Sequence, residues 1–336
     1  MNKARPLLFP MPMNRPSLDD LQRARSRIAP WIHRTPVLTS ETFDRMSGAS
    51  LFFKCENFQK AGAFKSRGAV NAVFSLTDDQ ARRGVATHSS GNHGMALARA
   101  AACRGIACTV VMPRTAPRAK IDAVRGYGAD IVFCQPTNTA RAEAVADVLE
   151  KTGAEFVHPF DDSRVIAGQG SCALELLEQV PDLDAVIAPI GGGGLISGTA
   201  IACRGIRPSL SVYAGEPANA DDAWRSLAAG RRLVEDAPDT IADGLKASLG
   251  ELTWSIVSSE VDAIFRASEA QIVDAMRLTW ERMKIVIEPS CAVPLAAVLA
   301  QPEPFAHRRV GVILTGGNVD LACLPWQHTT TTTPKG

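Results

Sequence analysis

DAVIAPIGGGGLISGT, residues 184–199, runs a short apolar stretch into four consecutive glycines and out into an apolar-periodic segment. The apolar stretch has the length of a strand buried on both faces, and the segment after the glycines has the pattern of a helix. The same punctuation recurs along the chain. GVATHSS (84–90), IACTVVMP (106–113), ADIVFC (129–134), EFVHPF (155–160), LSVYAGEP (210–217) and RRVGVILTGG (308–317) read as strands, several of which end in Gly- or Pro-rich loops. GMALARAAACRG (94–105), PRAKIDAVRGYG (117–128), residues 139–152 and VIAGQGSCALELLEQV (165–180) read as helices between them. Strands alternating with helices predict βαβ units, hence an α/β fold of parallel sheets flanked by helices. In such sheets ligands bind beyond the carboxyl ends of the strands. No internal repeat of fixed period is present.

The chain has 336 residues, with 36 Lys plus Arg against 35 Asp plus Glu and a net charge of +1. That balance argues against nucleic acid as a partner, because a phosphate-backbone binder carries a basic excess on one surface. No stretch approaches the roughly 18 apolar residues of a membrane helix. The first residues, MNKARPLLFPMPMNRP, lack a long apolar core and a small-residue cleavage site, so no secretory signal is expected. The eight cysteines form no C-x-x-C pair and several sit in apolar runs, which suits free thiols in a reducing cytoplasm. The tail 327–336, rich in threonine, is expected to be unstructured.

Five segments carry chemistry. In KCENFQKAGAFKSRGAVNAV (54–73), Lys65 stands before a helical pattern, an electrostatically awkward place for a cation. A lysine that must react neutral with a carbonyl gains from desolvation, although a solvated lysine is the bland alternative. SSGNHG (89–94) offers backbone N–H groups, hydroxyls and an amide to an anion such as a carboxylate, or else an ordinary helix cap from Ser90 or Asn92. In PIGGGGLISGT (189–199) the third glycine of a dinucleotide fingerprint would fall on Ile196 or Ser197, and no Gly-Lys-Ser/Thr follows. A cup for one phosphate remains. In GEPANADD (215–222), Glu216 and Asp222 with intervening carbonyls could hold a hard divalent cation or simply form an acidic loop. In ILTGGNVD (313–320), Thr315 ends a strand with a neutral hydroxyl. A non-catalytic small-molecule binder could use the same glycines and sheets, but would have no need of Lys65.

Together and in this order, the five segments resemble the serine/threonine dehydratase and serine racemase family, from about Ile28 to Leu324. The resemblance implies a pyridoxal-phosphate enzyme of fold type II, the tryptophan-synthase-β fold. It implies a discontinuous large domain (1–83 plus 162–326), a small domain (84–161) and a homodimer. By the same resemblance Lys65 forms the Schiff base with the cofactor and Phe64 lies against the cofactor ring. Asn92 meets the 3-hydroxyl oxygen, and Gly191, Gly192, Gly193, Gly194 and Leu195 hold the phosphate. Thr315 faces the pyridine nitrogen. Ser89, Asn92 and His93 hold the substrate carboxylate, and Ser90 is the opposite-face acid/base of the racemases. Glu216, the Ala220 carbonyl and Asp222 match a site for Mg2+, Mn2+ or Ca2+.

The activity so implied is β-elimination from a hydroxy-amino acid such as L-threonine or L-serine, giving a 2-oxo acid and ammonia. Serine racemisation and dehydration of 3-hydroxyaspartate or another β-substituted serine are the alternatives. Ala61, Ala63, Ser66 and Met95 depart from the family pattern. Ala61 and Met95 argue against nucleotide activation. No regulatory domain is expected after Leu324, which favours a catabolic role.

Overall fold

The computed structural model of the protein describes residues 14–116 and 118–327. Among them are ten strands: β1 (Val37–Leu38), β2 (Ser50–Cys55), β3 (Val85–His88), β4 (Cys108–Pro113), β5 (Asp130–Cys134), β6 (Glu155–Phe156), β7 (Ala185–Pro189), β8 (Ser211–Pro217), β9 (Ala263–Ala267) and β10 (Arg309–Leu314). They form two sheets, one of six strands in the order β1-β2-β10-β7-β8-β9 and one of four in the order β5-β4-β3-β6. All pairings are parallel except the edge pair β1–β2. The chain is thus a mixed α/β protein with parallel-dominated sheets, as the strand–helix alternation requires.

Burial explains the composition of the central strands. Every residue of β7 is buried, and β10 is buried from Val310 to Leu314, so both strands are continuously apolar. In register, Val312 lies between Phe53 of β2 and Ile187 of β7. Because these strands run in one direction, Cys55, Pro189 and Leu314 finish at the same edge of the sheet. The loops that follow them carry Lys65, the four glycines and Thr315.

Helices cover the sheets. Helix Ser163–Gln179 packs on both Lys65–Phe74 and Gly194–Ile206, and Asn92–Arg104 packs on Lys65–Phe74. The lysine helix is therefore held between elements of both sheets. No helix of the described residues is long and apolar enough to cross a membrane.

Two expectations change. The strand read across EFVHPF is confined to Glu155–Phe156. Beyond it, Pro159 has no N–H to give a ladder, and the N–H groups of Phe160 (3.3 Å) and Asp161 (2.8 Å) turn back to donate to His158 Nδ1. Gln327, placed in the tail by its composition, is tied by hydrogen bonds in both directions with Leu324 (3.0 Å each). The remainder of that tail, 328–336, lies outside the described residues.

Candidate active site

Lys65 is the first residue of helix Lys65–Phe74, directly after Phe64 at the cap position. The turn is sewn to the end of β10: the Phe64 N–H donates to the Thr315 carbonyl at 2.9 Å, and Ala63 pairs with Gly316 in an isolated bridge. Lys65 Nζ donates to the Pro159 carbonyl at 2.8 Å and stands 5.1 Å from the centre of the Phe64 ring. Burial pulls the ammonium down to about 8, against an opposing pull from the Glu288 carboxylate. An amine so placed is neutral at far lower pH than a solvated lysine.

Two residues on, the fully buried Arg67 fixes the same helix. Its guanidinium spans Glu56 (2.7 and 2.8 Å) and Glu175 (both 2.8 Å), and Lys54 Nζ closes the network on Glu175 at 2.7 Å. A lysine at one end of a helix is held in place by an arginine that cannot move without stranding two buried carboxylates.

Ser89 to His93 lie at the carboxyl end of β3, where the Ser89 N–H extends the ladder by donating to the Val111 carbonyl at 3.1 Å. The helix there starts at Asn92 and is capped by Gly91, which supplies no side-chain bond. Neither Ser90 nor Asn92 acts as its cap. Ser89 Oγ instead accepts from the Gly91 N–H at 3.2 Å, and Asn92 turns its amide aside to donate to Glu288 Oε1 at 2.7 Å. The first N–H groups of this helix are left without a capping side chain. His93 is buried with Nε2 3.2 Å from the Val157 carbonyl, while Nδ1 has no partner. A carbonyl only accepts, so Nε2 carries the proton. Burial and the Lys65 charge hold His93 well below the ordinary histidine range, hence neutral.

His158 is likewise driven down to about 3, first by burial and then by His88 and Lys65. His88 is held at about 4, mainly by burial with a contribution from Arg141. Lys65 thus faces neutral imidazoles rather than imidazolium ions.

The glycine loop begins one residue past β7. Gly193, at φ 86°, caps helix Gly194–Ile206 and offers no side-chain bond, so the helix N-terminus has free N–H groups and positive potential. A Cβ at Gly192 would stand 2.3 Å from the Phe160 ring. The loop is also braced from behind, since Thr253 Oγ1 donates to the Gly192 carbonyl at 2.9 Å and Asp161 accepts from the Thr253 N–H at 3.0 Å. Ser197 Oγ in the same helix is buried without a partner. A braced loop of bare N–H groups beside an amine with a lowered pKa fits an aldehyde bearing one phosphate. Thr315 is buried at the end of β10, the strand beside the one that leads into this loop, and its carbonyl holds the Phe64 N–H.

Glu216, Ala220 and Asp222 are all buried at the end of β8. Glu216 accepts from the N–H groups of Ala223 (2.9 Å) and Trp224 (2.8 Å), capping helix Asp222–Ala229, and burial raises it to about 8. Asp222 is raised by burial as well, and its Oδ2 has no partner. Among the described residues no group of three or more His, Cys, Asp or Glu side chains gathers to hold a metal. Two carboxylates and a carbonyl fit a hard cation only with water completing its shell.

Glu288, Asn318, His158, Pro159 and Phe160 were not singled out by the sequence. Glu288 precedes Pro289 at a helix start, a pattern that reads as ordinary punctuation. Asn318 lies within ILTGGNVD, where no local signal sets it apart.

A lysine-centred α/β site with a one-phosphate cup defines a class, and the comparisons agree: the chain belongs to the pyridoxal-phosphate dependent enzyme family, which it matches over residues 28–316. Its cofactor is pyridoxal phosphate and its fold is type II. Within that family the chain is similar to serine/threonine-type dehydratases and racemases. It is 58% identical over 311 residues to a beta-hydroxyaspartate dehydratase of Paracoccus denitrificans (strain Pd 1222), covering 93% of this chain and 99% of the relative. Among solved structures, maize serine racemase has a TM-score of 0.90 at 47% identity, covering 92% of this chain and 95% of that one. A T.th. threonine deaminase has a TM-score of 0.87 at 44% identity, covering 91% and 99%.

Proposed function

We propose that the chain is a dehydratase that eliminates the β-hydroxyl of a hydroxy-amino acid, releasing a 2-oxo acid and ammonia. The observation that carries this reading is Lys65: a lysine brought down to about 8 by burial, fixed at a helix start and surrounded by neutral histidines. Bound pyridoxal phosphate supplies a carbonyl for Lys65 and a ring that withdraws electrons from the substrate Cα. The chain's own residues do the rest. Gly191, Gly192, Gly193, Gly194 and Leu195 would hold the phosphate, Phe64 would support the ring, and Thr315 would offer the ring nitrogen a hydroxyl rather than a charge. Ser89, Asn92 and His93 orient the substrate carboxylate, with the bare N–H groups carrying the charge because His93 is neutral. The Lys65 amine would take the Cα proton. The smaller sheet, 84–161, would close on the rest of the chain and exclude water.

For the substrate, a second carboxylate is the reading supported best. The Paracoccus relative is named for beta-hydroxyaspartate. In this chain Arg141 leaves its buried Nε without a partner, and its charge reaches His88, whose ring lies 5.7 Å from His158. An unpaired guanidinium nitrogen whose charge is felt at His88 suits a distal carboxylate. The test is a panel of hydroxy-amino acids assayed for 2-oxo acid and ammonia with wild type, Lys65→Ala and Arg141→Met. Lys65→Ala should abolish turnover. Arg141→Met should cost about tenfold or more on 3-hydroxyaspartate and little on serine. Equal losses on both would remove the distal-carboxylate assignment.

Racemisation is the second reading, favoured by the similarity to serine racemases. It assigns Ser90, partly buried at the carboxylate loop, as the acid on the opposite face. Enantiomer interconversion that disappears in Ser90→Ala while elimination persists would establish it.

A further inference from the structure

The side-chain amide of Asn92 has two possible orientations, and only one presents N–H to a negatively charged oxygen in the site. What selects it lies on the other side of the residue. Asn318 Nδ2 donates to the Ala61 carbonyl at 2.8 Å and to Asn92 Oδ1 at 2.9 Å. The Ala61 carbonyl can only accept, so Asn318 must turn its NH2 group, and not its oxygen, toward this contact. That NH2 group has two hydrogens, and both are used. The second can be received only if Asn92 offers its oxygen, which sends the Asn92 NH2 group the opposite way. There one N–H reaches Glu288 Oε1 at 2.7 Å, and the other remains for a ligand.

The relay starts from a fixed point. Ala61 is one of only three non-glycine residues at positive φ among the described residues, at 53°, and its carbonyl is aimed by that conformation. Its neighbour Gly62, at φ 69°, leaves no space beside Asn318: a Cβ there would stand 2.4 Å from Asn318 Oδ1. The Gly62 carbonyl in turn accepts from the Gly317 N–H at 3.0 Å. The loop that leads to Lys65 and the segment after β10 are therefore pinned together at Asn318.

We propose that Asn318 is a positioning residue that sets the amide orientation of Asn92, through a relay running from the Ala61 carbonyl. The relay rests on the reading that Asn92 donates to the 3-hydroxyl oxygen of the cofactor. It makes the loop before Lys65 responsible for two things at once, the place of the amine and the donor opposite it. An amide turned the wrong way would put Asn92 Oδ1 against the phenolic oxygen and take from Glu288 Oε1 the N–H that it now accepts.

The experiment is a double-mutant cycle between Asn92→Ala and Asn318→Asp. It is read by the cofactor dissociation constant and by the pH dependence of the bound cofactor's visible band. Asn318→Asp keeps the shape and removes both donors. It should weaken cofactor binding about tenfold or more and displace the pH midpoint of the band, and it should do neither in the Asn92→Ala background. Asn318→Ser, which keeps one donor, should fall between wild type and Asn318→Asp, and serves if the aspartate variant folds poorly. Gly62→Ala, which pushes on Asn318 from the far side, should move both readouts in the same direction. If Asn92→Ala leaves binding and band unchanged, the role given to Asn92 is wrong and the relay falls with it. If Asn92→Ala changes them and Asn318→Asp does not, or if Asn318→Asp acts equally in both backgrounds, the relay alone is overturned.

Discussion

Lys65 Nζ donates to the carbonyl oxygen of Pro159 at 2.8 Å. The two residues come from different parts of the chain: Lys65 opens the helix that follows β2 of the six-stranded sheet, and Pro159 follows β6 of the four-stranded one. Pro159 therefore ties the segment joining the two sheets to the reactive amine. Its neighbours extend the tie, with Phe160 against Gly192 and Asp161 on the Thr253 N–H.

That environment makes a prediction about pH. With its ammonium pulled from 10.5 to about 8, Lys65 in the cofactor-free protein changes charge through about pH 8. The rate of Lys65-dependent cofactor capture should rise with pH and level off above that point. The linkage has a definite sign. Between about 8 and 10.5 the unfolded chain holds the proton and the folded one does not, so this group makes the cofactor-free protein more stable as pH rises across that window. Below about 8 both states are protonated and the full cost of the buried charge is felt. Lys65→Met should therefore raise the melting temperature of the cofactor-free protein most below about pH 8. A capture rate flat from about pH 7 to about pH 9.5 would count against the buried amine.

Arg67 predicts a large loss of stability. Arg67→Met leaves Glu56 and Glu175 buried with Lys54 as the only remaining cation between them. Removing one partner of such a network costs about 3–5 kcal/mol. Arg67→Lys keeps the charge but cannot span both carboxylates, so it should lie between the two. Denaturant unfolding of the cofactor-free protein checks the order, and a Met variant within about 1 kcal/mol of wild type, roughly a fivefold change in the folding constant, would contradict it.

Much of this site was legible because its parts are loops at strand ends, and strand ends are marked by glycine and proline. DAVIAPIGGGG and RRVGVILTGG announced both the central strands and the loops beyond them, since strands buried on both faces must be continuously apolar. The order of the strands was not legible. β10 lies between β2 and β7, pairings between segments far apart in the chain that leave no local trace. EFVHPF misled because its apolar residues serve two places, Phe156 and Val157 the core around the four-stranded sheet and Phe160 the glycine loop, with Pro159 between them. Glu288 and Asn318 escaped because each meets the site through contacts with residues distant in sequence, Asn92 for both, Lys65 for Glu288 and Ala61 for Asn318.

The acidic site at the end of β8 predicts a response to divalent cations. Asp222 Oδ2 is buried without a partner and Glu216 is raised by burial, both signs that positive charge is wanting there. A cation bound to the folded chain alone stabilises by about 2.7 kcal/mol at roughly a hundredfold excess over its dissociation constant. Mg2+, Mn2+ or Ca2+ should therefore raise the melting temperature, a chelator should reverse the gain, and Asp222→Asn should abolish it. An Asp222→Asn variant that responds like wild type would place the cation elsewhere.

Gly192 gives the most local test of the glycine loop, because two explanations of that glycine predict different outcomes. If it is glycine to admit a phosphate, Gly192→Ala weakens cofactor binding whatever stands behind it. If it is glycine because Phe160 fills the space, with a Cβ only 2.3 Å from the ring, the substitution pushes the loop off Phe160 and the loss can be relieved. The geometry favours the second. Gly192→Ala should weaken the cofactor and lower the melting temperature together, and Phe160→Ala in the same chain should recover most of the binding. Phe160→Ala alone should lose stability by about 3–5 kcal/mol if the ring is as well packed as a core phenylalanine, and less in proportion to its exposure. Spectral titration of the cofactor and thermal melting on the single and double variants decide between them. Recovery would mean that the segment joining the sheets shapes the phosphate cup, so that its movement and the grip on the cofactor are one event.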